Sequence, residues 1–378
     1  MKFPNKYLRN LKPYRLASHK IWMVTPKERS LVLKLDWNEA TIPPSPKVRE
    51  RMNQLLQEPD FFNLYPTTYN ETLHNLLSSY VSLPKENIQY FASSDALHEY
   101  ICKVFISVGD PIMILGPSYD NFRLTCQANG AEVFFFNYNT DFTFDAETFE
   151  SEIITKEPAV VYICNPNNPT GNLHSVEYIE HLLFTFPDTL FLIDEAYYEF
   201  SGVSCKDLVL THDNILISRT MSKAFALANF RVGYLIGSTD NVQFVNRIRN
   251  PKNLTTFAQE AAIAALSDIK YMQMYVKEVN TAKTQFLLDC AAYNPYICVY
   301  PSFGNFVLVQ CHSYEEKIAM VNFFADNNIF VRDTTQSNLV RNCFRITIGT
   351  CKQMEYVNSI FGEYFSQHYG YEGESGSI

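Results

Sequence analysis

Nine cysteines are spread through the 378 residues without a single Cys-x-x-Cys pair, and their odd number and wide spacing argue against a disulfide framework and against a zinc site. They read as reduced thiols that fill a core. The eight histidines are equally scattered, none with a second histidine, cysteine or carboxylate at a ligand spacing, so no metal is expected. Long apolar runs are missing as well. Tyr100–Val108 carries Lys103, and Leu182–Ile193 is broken by Pro187 and Asp188, so neither supplies the ~20 residues of a membrane helix. The opening MKFPNKYLRNLKPYR has no apolar stretch of the kind a signal peptide uses. With 31 basic against 40 acidic residues, a net charge of −9 and no basic run, a nucleic-acid partner is not expected. No internal repeat occurs. These absences point to a cytoplasmic protein that works on neither membrane nor nucleic acid.

What is present is enough material for a large core: 47% apolar and 15% aromatic residues in a chain longer than one core usually supports. Short runs rich in Val, Ile, Leu and Phe recur at Ile112–Leu115, Glu132–Phe136, Val160–Cys164, Leu190–Ile193, Ile215–Ser218 and Gly233–Ile236. Stretches of helical periodicity such as Val176–Thr185 separate them. This alternation predicts an α/β fold with a mostly parallel sheet covered on both faces, and ligands at the carboxyl ends of its strands. Beyond Pro251 the pattern changes to a long helical region, Phe257–Leu288, and then to strands at Phe306–Gln310, Ile329–Val331 and Phe344–Ile348. The division expected is an arm (residues 1–35), a large domain (36–250), a small α+β domain (251–365) and a flexible polar tail (366–378).

The most informative stretch is Asn214–Gly233, NILISRTMSKAFALANFRVG, which follows an apolar strand with Ser222-Lys223 and places Arg231 eight residues beyond the lysine. Upstream stand NPNNPTG at Asn165–Gly171 and DEAY at Asp194–Tyr197. Pyridoxal phosphate requires a lysine for its aldehyde, an acid against its ring nitrogen, donors to its ring oxygen and an anion site for its phosphate. Lys223 can reach the strand ends, and it becomes a competent nucleophile once neighbouring cations or desolvation lower its proton affinity. Asp194 ends a buried strand, where a cationic ring nitrogen would compensate its burial. Asn168 and Tyr197 can donate to the ring oxygen. Ser94 and Asp95 open the helical stretch in FASSDALHEYI, whose first N–H groups suit an anion; Ser222 and Arg231 can add to them. Taken singly, each has a plainer reading: a solvated lysine, a helix-capping aspartate, a turn motif, an ordinary N-cap.

In combination the chain resembles a fold-type I, class I/II aminotransferase dependent on pyridoxal phosphate, and is most similar to histidinol-phosphate aminotransferases. Motifs carrying the resemblance include RNLKPY (Arg9–Tyr14), LDWNE (Leu35–Glu39), LYP (Leu64–Pro66), SSDALHEYI (Ser93–Ile101), GPSYDNF (Gly116–Phe122), GNFVL (Gly304–Leu308), FVRD (Phe330–Asp333) and CFRITIGT (Cys343–Thr350). The resemblance implies an aspartate-aminotransferase-like fold, a seven-stranded sheet in the large domain, and a homodimer with shared active sites. It further implies that Tyr119 stacks on the cofactor ring and that Tyr65 reaches the neighbouring subunit's cofactor. Asn38, Tyr14, Arg332 and Arg345 are implied at the substrate, the last three around its phosphate, although Arg332 could equally pair with Asp333.

Two departures stand out. The usual glycine-led motif before the helix is Ser93-Ser94-Asp95-Ala96, and Lys252 follows Pro251 where relatives usually carry an aromatic. The second removes an apolar wall suited to imidazole and adds a cation at the substrate. The expected reaction moves an amino group between an amino acid such as glutamate and a small phosphorylated substrate. Dihydroxyacetone phosphate and serinol phosphate form one alternative pair; decarboxylation of a phosphorylated amino acid is the other alternative.

Overall fold

The computed structural model describes residues 5–9, 11–13, 20–22, 25–335 and 337–370. Its first strand, β1 (Leu33–Leu35), belongs to the smaller of two sheets. The larger is built from β2 (Ile88–Phe91), β3 (Pro111–Gly116), β4 (Glu132–Asn137), β5 (Val160–Cys164), β6 (Leu190–Asp194), β7 (Ile215–Thr220) and β8 (Gly233–Gly237). Their order is β2-β8-β7-β6-β5-β3-β4. The pairings from β4 across to β7 are parallel, and β8 is antiparallel to both β7 and β2. Every residue of β5 and β7 is buried, which is why these strands read as continuous apolar runs without alternation. In register, Cys164 of β5 lies beside Asp194 of β6, and Asp194 beside Ser218 of β7. The acid thus stands at the carboxyl end of the sheet between two buried neighbours.

The smaller sheet contains β9 (Ile297–Tyr300), β10 (Phe306–Cys311), β11 (Ile329–Asp333) and β12 (Cys343–Thr347), in the order β1-β11-β12-β10-β9. Here β1 pairs in parallel with β11, so the end of the expected arm is a strand in a sheet otherwise made by the last third of the chain. That pairing delivers Asp36, Trp37 and Asn38 between the two sheets. Strands β1, β2 and β9, of three or four residues each, were not anticipated.

Two expectations are corrected. The long helical region is two helices, Thr256–Leu266 and Ile269–Cys290, broken at Ser267 and Asp268, where the Asp268 carboxylate accepts a hydrogen bond from Ser45. The last helix runs Cys351–Tyr369, so residues 366–369 are helical where a flexible tail was expected. Aromatic packing explains this extension: Phe365 stacks on Tyr293 at 4.9 Å between ring centroids, and Tyr369 lies 4.7 Å from Tyr296. Residues 371–378 lie outside the described residues.

Candidate active site

A cavity of about 1170 Å³ opens at the carboxyl ends of β5–β7 and is closed from the other side by β1, β11 and β12. All the residues singled out above line it except Asn38, Tyr65 and Lys252; Tyr14 lies outside the described residues. A smaller hollow of about 690 Å³ beside Tyr80, Glu199 and Lys277 contains none of them.

Lys223 lies three residues beyond the end of β7 and donates from Nζ to the Trp37 carbonyl at 2.9 Å. Burial, and then the Arg345 guanidinium, push its proton affinity down to about 8; Arg231 acts in the same direction, while Glu39 and Asp95 oppose it. An amine in this setting sheds its proton far more readily than a surface lysine.

Asp194 accepts on Oδ2 from the Tyr162 hydroxyl at 2.7 Å and on Oδ1 from the Ala196 N–H at 3.2 Å. His98 Nε2 lies 4.0 Å from the same Oδ2. A carboxylate buried to this degree requires compensation, and a protonated ring nitrogen in the cavity would complete it. At Tyr197 the oxygen accepts from Asn38 Nδ2 at 3.0 Å and from Asn168 Nδ2 at 3.3 Å. With its lone pairs occupied and burial holding the phenol protonated, its own proton is directed elsewhere as a donor. Asn38 was expected to touch substrate. It is buried, has a left-handed backbone (φ 55°) and donates to the Tyr197 hydroxyl.

The helix Ser93–Phe105 points its start at the cavity. Ser93 has φ 87°, a conformation that costs a residue with a side chain on the order of 1 kcal/mol. Across from it, Gly233 leaves room for the helix start: a Cβ there would sit 2.4 Å from Ser94 N and 2.5 Å from Ser93 C. Asp95 is held by Tyr119, whose hydroxyl donates to Oδ1 at 3.0 Å, and by Arg231, whose Nη2 donates to Oδ2 at 2.8 Å. Ser222 accepts from Thr220 Oγ1 at 2.9 Å.

On the opposite wall, Arg332 of β11 stands directly across from Arg345 of β12 in the antiparallel register. Both line the cavity. Two guanidiniums on one wall can together take a dianion. Asp333 accepts from Lys317 at 2.6 Å. Arg345 also donates to the Asp36 carbonyl at 2.7 Å and to the Asn168 side-chain oxygen. Residues that the motifs did not single out complete the walls. Lys34 forms ion pairs with Asp36 (2.9 Å) and Glu39 and lies over the Trp37 ring, while Tyr162, Ser218 and His98 stand behind Asp194. Among the described residues no cluster of three or more metal-ligating side chains exists.

The donor set therefore fits pyridoxal phosphate: a lysine with lowered proton affinity, a buried acid, a spare phenolic donor and a helix start made accessible by a glycine. The family model for aminotransferases of class I and II matches residues 30–360, and the chain belongs to that family. It is a pyridoxal-phosphate-dependent aminotransferase. It is 40% identical to a dihydroxyacetone phosphate transaminase of Campylobacter jejuni over 97% of this chain and 98% of that one. A histidinol-phosphate aminotransferase of Ruminiclostridium cellulolyticum is 33% identical over 85% of this chain and 89% of the relative. In fold, the crystal structure of the Sinorhizobium meliloti histidinol-phosphate aminotransferase with pyridoxal-5'-phosphate superposes with a TM-score of 0.81 at 24% identity, covering 93% of this chain and 98% of that one.

Proposed function

We propose that the chain moves an amino group between an amino acid such as glutamate and a small phosphorylated carbonyl compound, with dihydroxyacetone phosphate and serinol phosphate as the pair. The observation that carries the phosphate is the register of Arg332 against Arg345, cross-strand partners that both line the cavity and can together offer two guanidiniums to a dianion. The preference for the smaller substrate over histidinol phosphate is supported by the 40% identical relative and by Lys252 after Pro251.

Bound pyridoxal phosphate supplies the aldehyde that takes up the amino group and a ring that withdraws electrons from the carbon losing its proton. The chain's own residues do the rest. Lys223 takes the proton from the substrate carbon and returns it one position away, a task suited to an amine whose proton affinity lies near neutral pH. Asp194 holds the proton on the ring nitrogen. Tyr197 donates to the ring oxygen, assisted by Asn168, and Tyr119 covers the ring face. The first N–H groups at Ser94 and Asp95, with Ser222 and Arg231, hold the cofactor phosphate. Arg345 and Arg332 orient the substrate's anionic end and exclude water from it, with Tyr14 as a third donor.

We further propose a homodimer. Tyr65 is 81% exposed beside the exposed side chains of Phe62 and Leu64, and Lys252 Nζ lies 4.3 Å from its ring centre. Neither lines its own chain's cavity, which supports the reading that both enter the neighbouring subunit's site. A cytoplasmic setting is supported by nine free thiols. No helix among the described residues is long and apolar enough to cross a membrane.

Lys223→Ala tests the assignment: turnover should vanish while the melting profile is retained, and substantial residual transamination would overturn it. Release of carbon dioxide from a phosphorylated amino acid would identify decarboxylation instead.

A further inference from the structure

Behind Asp194, on the side away from the cavity, lies a histidine that the proposed chemistry does not use. His98, on the helix Ser93–Phe105, is fully buried. Its Nε2 is 2.9 Å from Ser218 Oγ and 4.0 Å from Asp194 Oδ2. Ser218 is itself the register partner of Asp194 across β6 and β7. The imidazole is fixed edge-on between Phe122 and Tyr162, with ring centroids 5.6 Å and 5.8 Å away. Nδ1 is buried without a hydrogen-bond partner. An orphaned lone pair is better tolerated in a protein interior than an orphaned N–H, so the network assigns the proton to Nε2, the nitrogen facing Ser218 and Asp194.

From this arrangement we infer that His98 is a positioning residue for Asp194. Its Nε2–H anchors the Ser218 hydroxyl and presents a positive edge to Oδ2, the oxygen that already accepts from Tyr162 at 2.7 Å. These groups form a donor wall that holds the carboxylate turned toward the cavity. Without it, the carboxylate is free to turn away from the position in which it faces the cofactor's ring nitrogen. The inference rests on the reading that Asp194 faces that nitrogen. The chemistry of His98 itself is unchanged through the cycle: it neither bonds to substrate nor carries the transferred proton.

The test compares His98→Leu, His98→Gln and Ser218→Ala with the wild-type holoenzyme. Readouts are the dissociation constant for pyridoxal phosphate by dialysis, the rise in melting temperature on adding it, and the pH profile of the bound cofactor's visible absorbance. His98→Leu should weaken cofactor binding and lower kcat by up to about tenfold each, the scale of one lost neutral hydrogen bond, with KM for the amino donor little changed. It should also shift the pH profile. His98→Gln, which keeps an N–H near the Nε2 position, should restore most of both. Ser218→Ala should reproduce the loss with the imidazole packing intact, and it decides the question if His98→Leu does not fold. Wild-type affinity and an unshifted pH profile in Ser218→Ala and His98→Leu, with only a lowered melting temperature, would make His98 a packing residue and overturn the inference. A wild-type protein that takes up no cofactor would overturn the reading of the site itself, and His98's role with it.

Discussion

Replacing Gly233 by alanine tests whether the start of the helix Ser93–Phe105 is the cofactor's phosphate site. The added Cβ would meet backbone on three sides, at 2.4 Å from Ser94 N, 2.5 Å from Ser93 C and 3.0 Å from Arg219 O, where ordinary contact begins at 3.4 Å. Relief requires about 1 Å of movement between β8 and the helix start, and backbone cannot rotate out of the way as a side chain can. Overpacking of this kind costs about 1–3 kcal/mol of stability. The movement also displaces the N–H groups of Ser94 and Asp95, and losing one charge-assisted hydrogen bond is worth about 1.5–3 kcal/mol, or roughly 10- to 150-fold in affinity. Gly237→Ala in the same strand is the control, because its Cβ would meet only the flexible Leu216 side chain, at 3.0 Å. Equilibrium dialysis of pyridoxal phosphate against both variants should show the loss in Gly233→Ala alone. Wild-type affinity in Gly233→Ala, or equal losses in the two, would refute the reasoning.

Four further outcomes are expected. Covalent capture of pyridoxal phosphate by cofactor-free protein should rise with pH through a midpoint near 8, because the lowered proton affinity of Lys223 frees the amine well below the ordinary lysine value of 10.5; a midpoint near 10.5 would contradict the burial argument. By the same linkage, Lys223 makes the cofactor-free fold more stable as pH rises from about 8 to 10.5, where the unfolded chain binds the extra proton. Arg332→Gln should raise KM for the phosphorylated substrate by roughly 10- to 100-fold and spare the glutamate half-reaction, measured by single-turnover absorbance; equal losses in both halves would mean that Arg332 is structural. Finally, in a hybrid dimer of Lys223→Ala with Lys252→Gln, the one competent site should keep wild-type KM for the phosphate if Lys252 acts from the neighbouring subunit. A KM matching the Lys252→Gln homodimer would place that lysine in its own chain's site.

Much of the large domain is legible in the sequence for a simple physical reason. Strands β5, β6 and β7 are buried on both faces, so they stand out as apolar runs, and each ends on the residues that carry chemistry: Cys164 and the NPNNPTG loop, Asp194, and Lys223 just beyond Thr220. The edge strand β2 and the short β1 and β9 do not stand out, since each has too few residues for a pattern and depends on pairing with distant segments. Within the cavity, the placement of the lysine, the acid and the helix start follows from motif spacing. The apposition of Arg332 and Arg345 does not, because it is a register between strands, set by pairing and not by distance along the chain. The contact of Asn38 with Tyr197 is not legible for a similar reason: it joins residues 159 positions apart, and nothing in LDWNE announces it. His98 left no signal at all, since one histidine on a helix gains meaning only when β6 and β7 bring Asp194 and Ser218 against it.

Amino transfer to and from a small phosphorylated substrate can be observed by titrating the holoenzyme, without any acceptor, with serinol phosphate and separately with histidinol phosphate, while following the visible absorbance of the lysine-bound cofactor. Serinol phosphate should convert the cofactor to its amine form at low concentration, and histidinol phosphate should do so only weakly. Conversion by histidinol phosphate alone, or by neither phosphate, would contradict the proposed function.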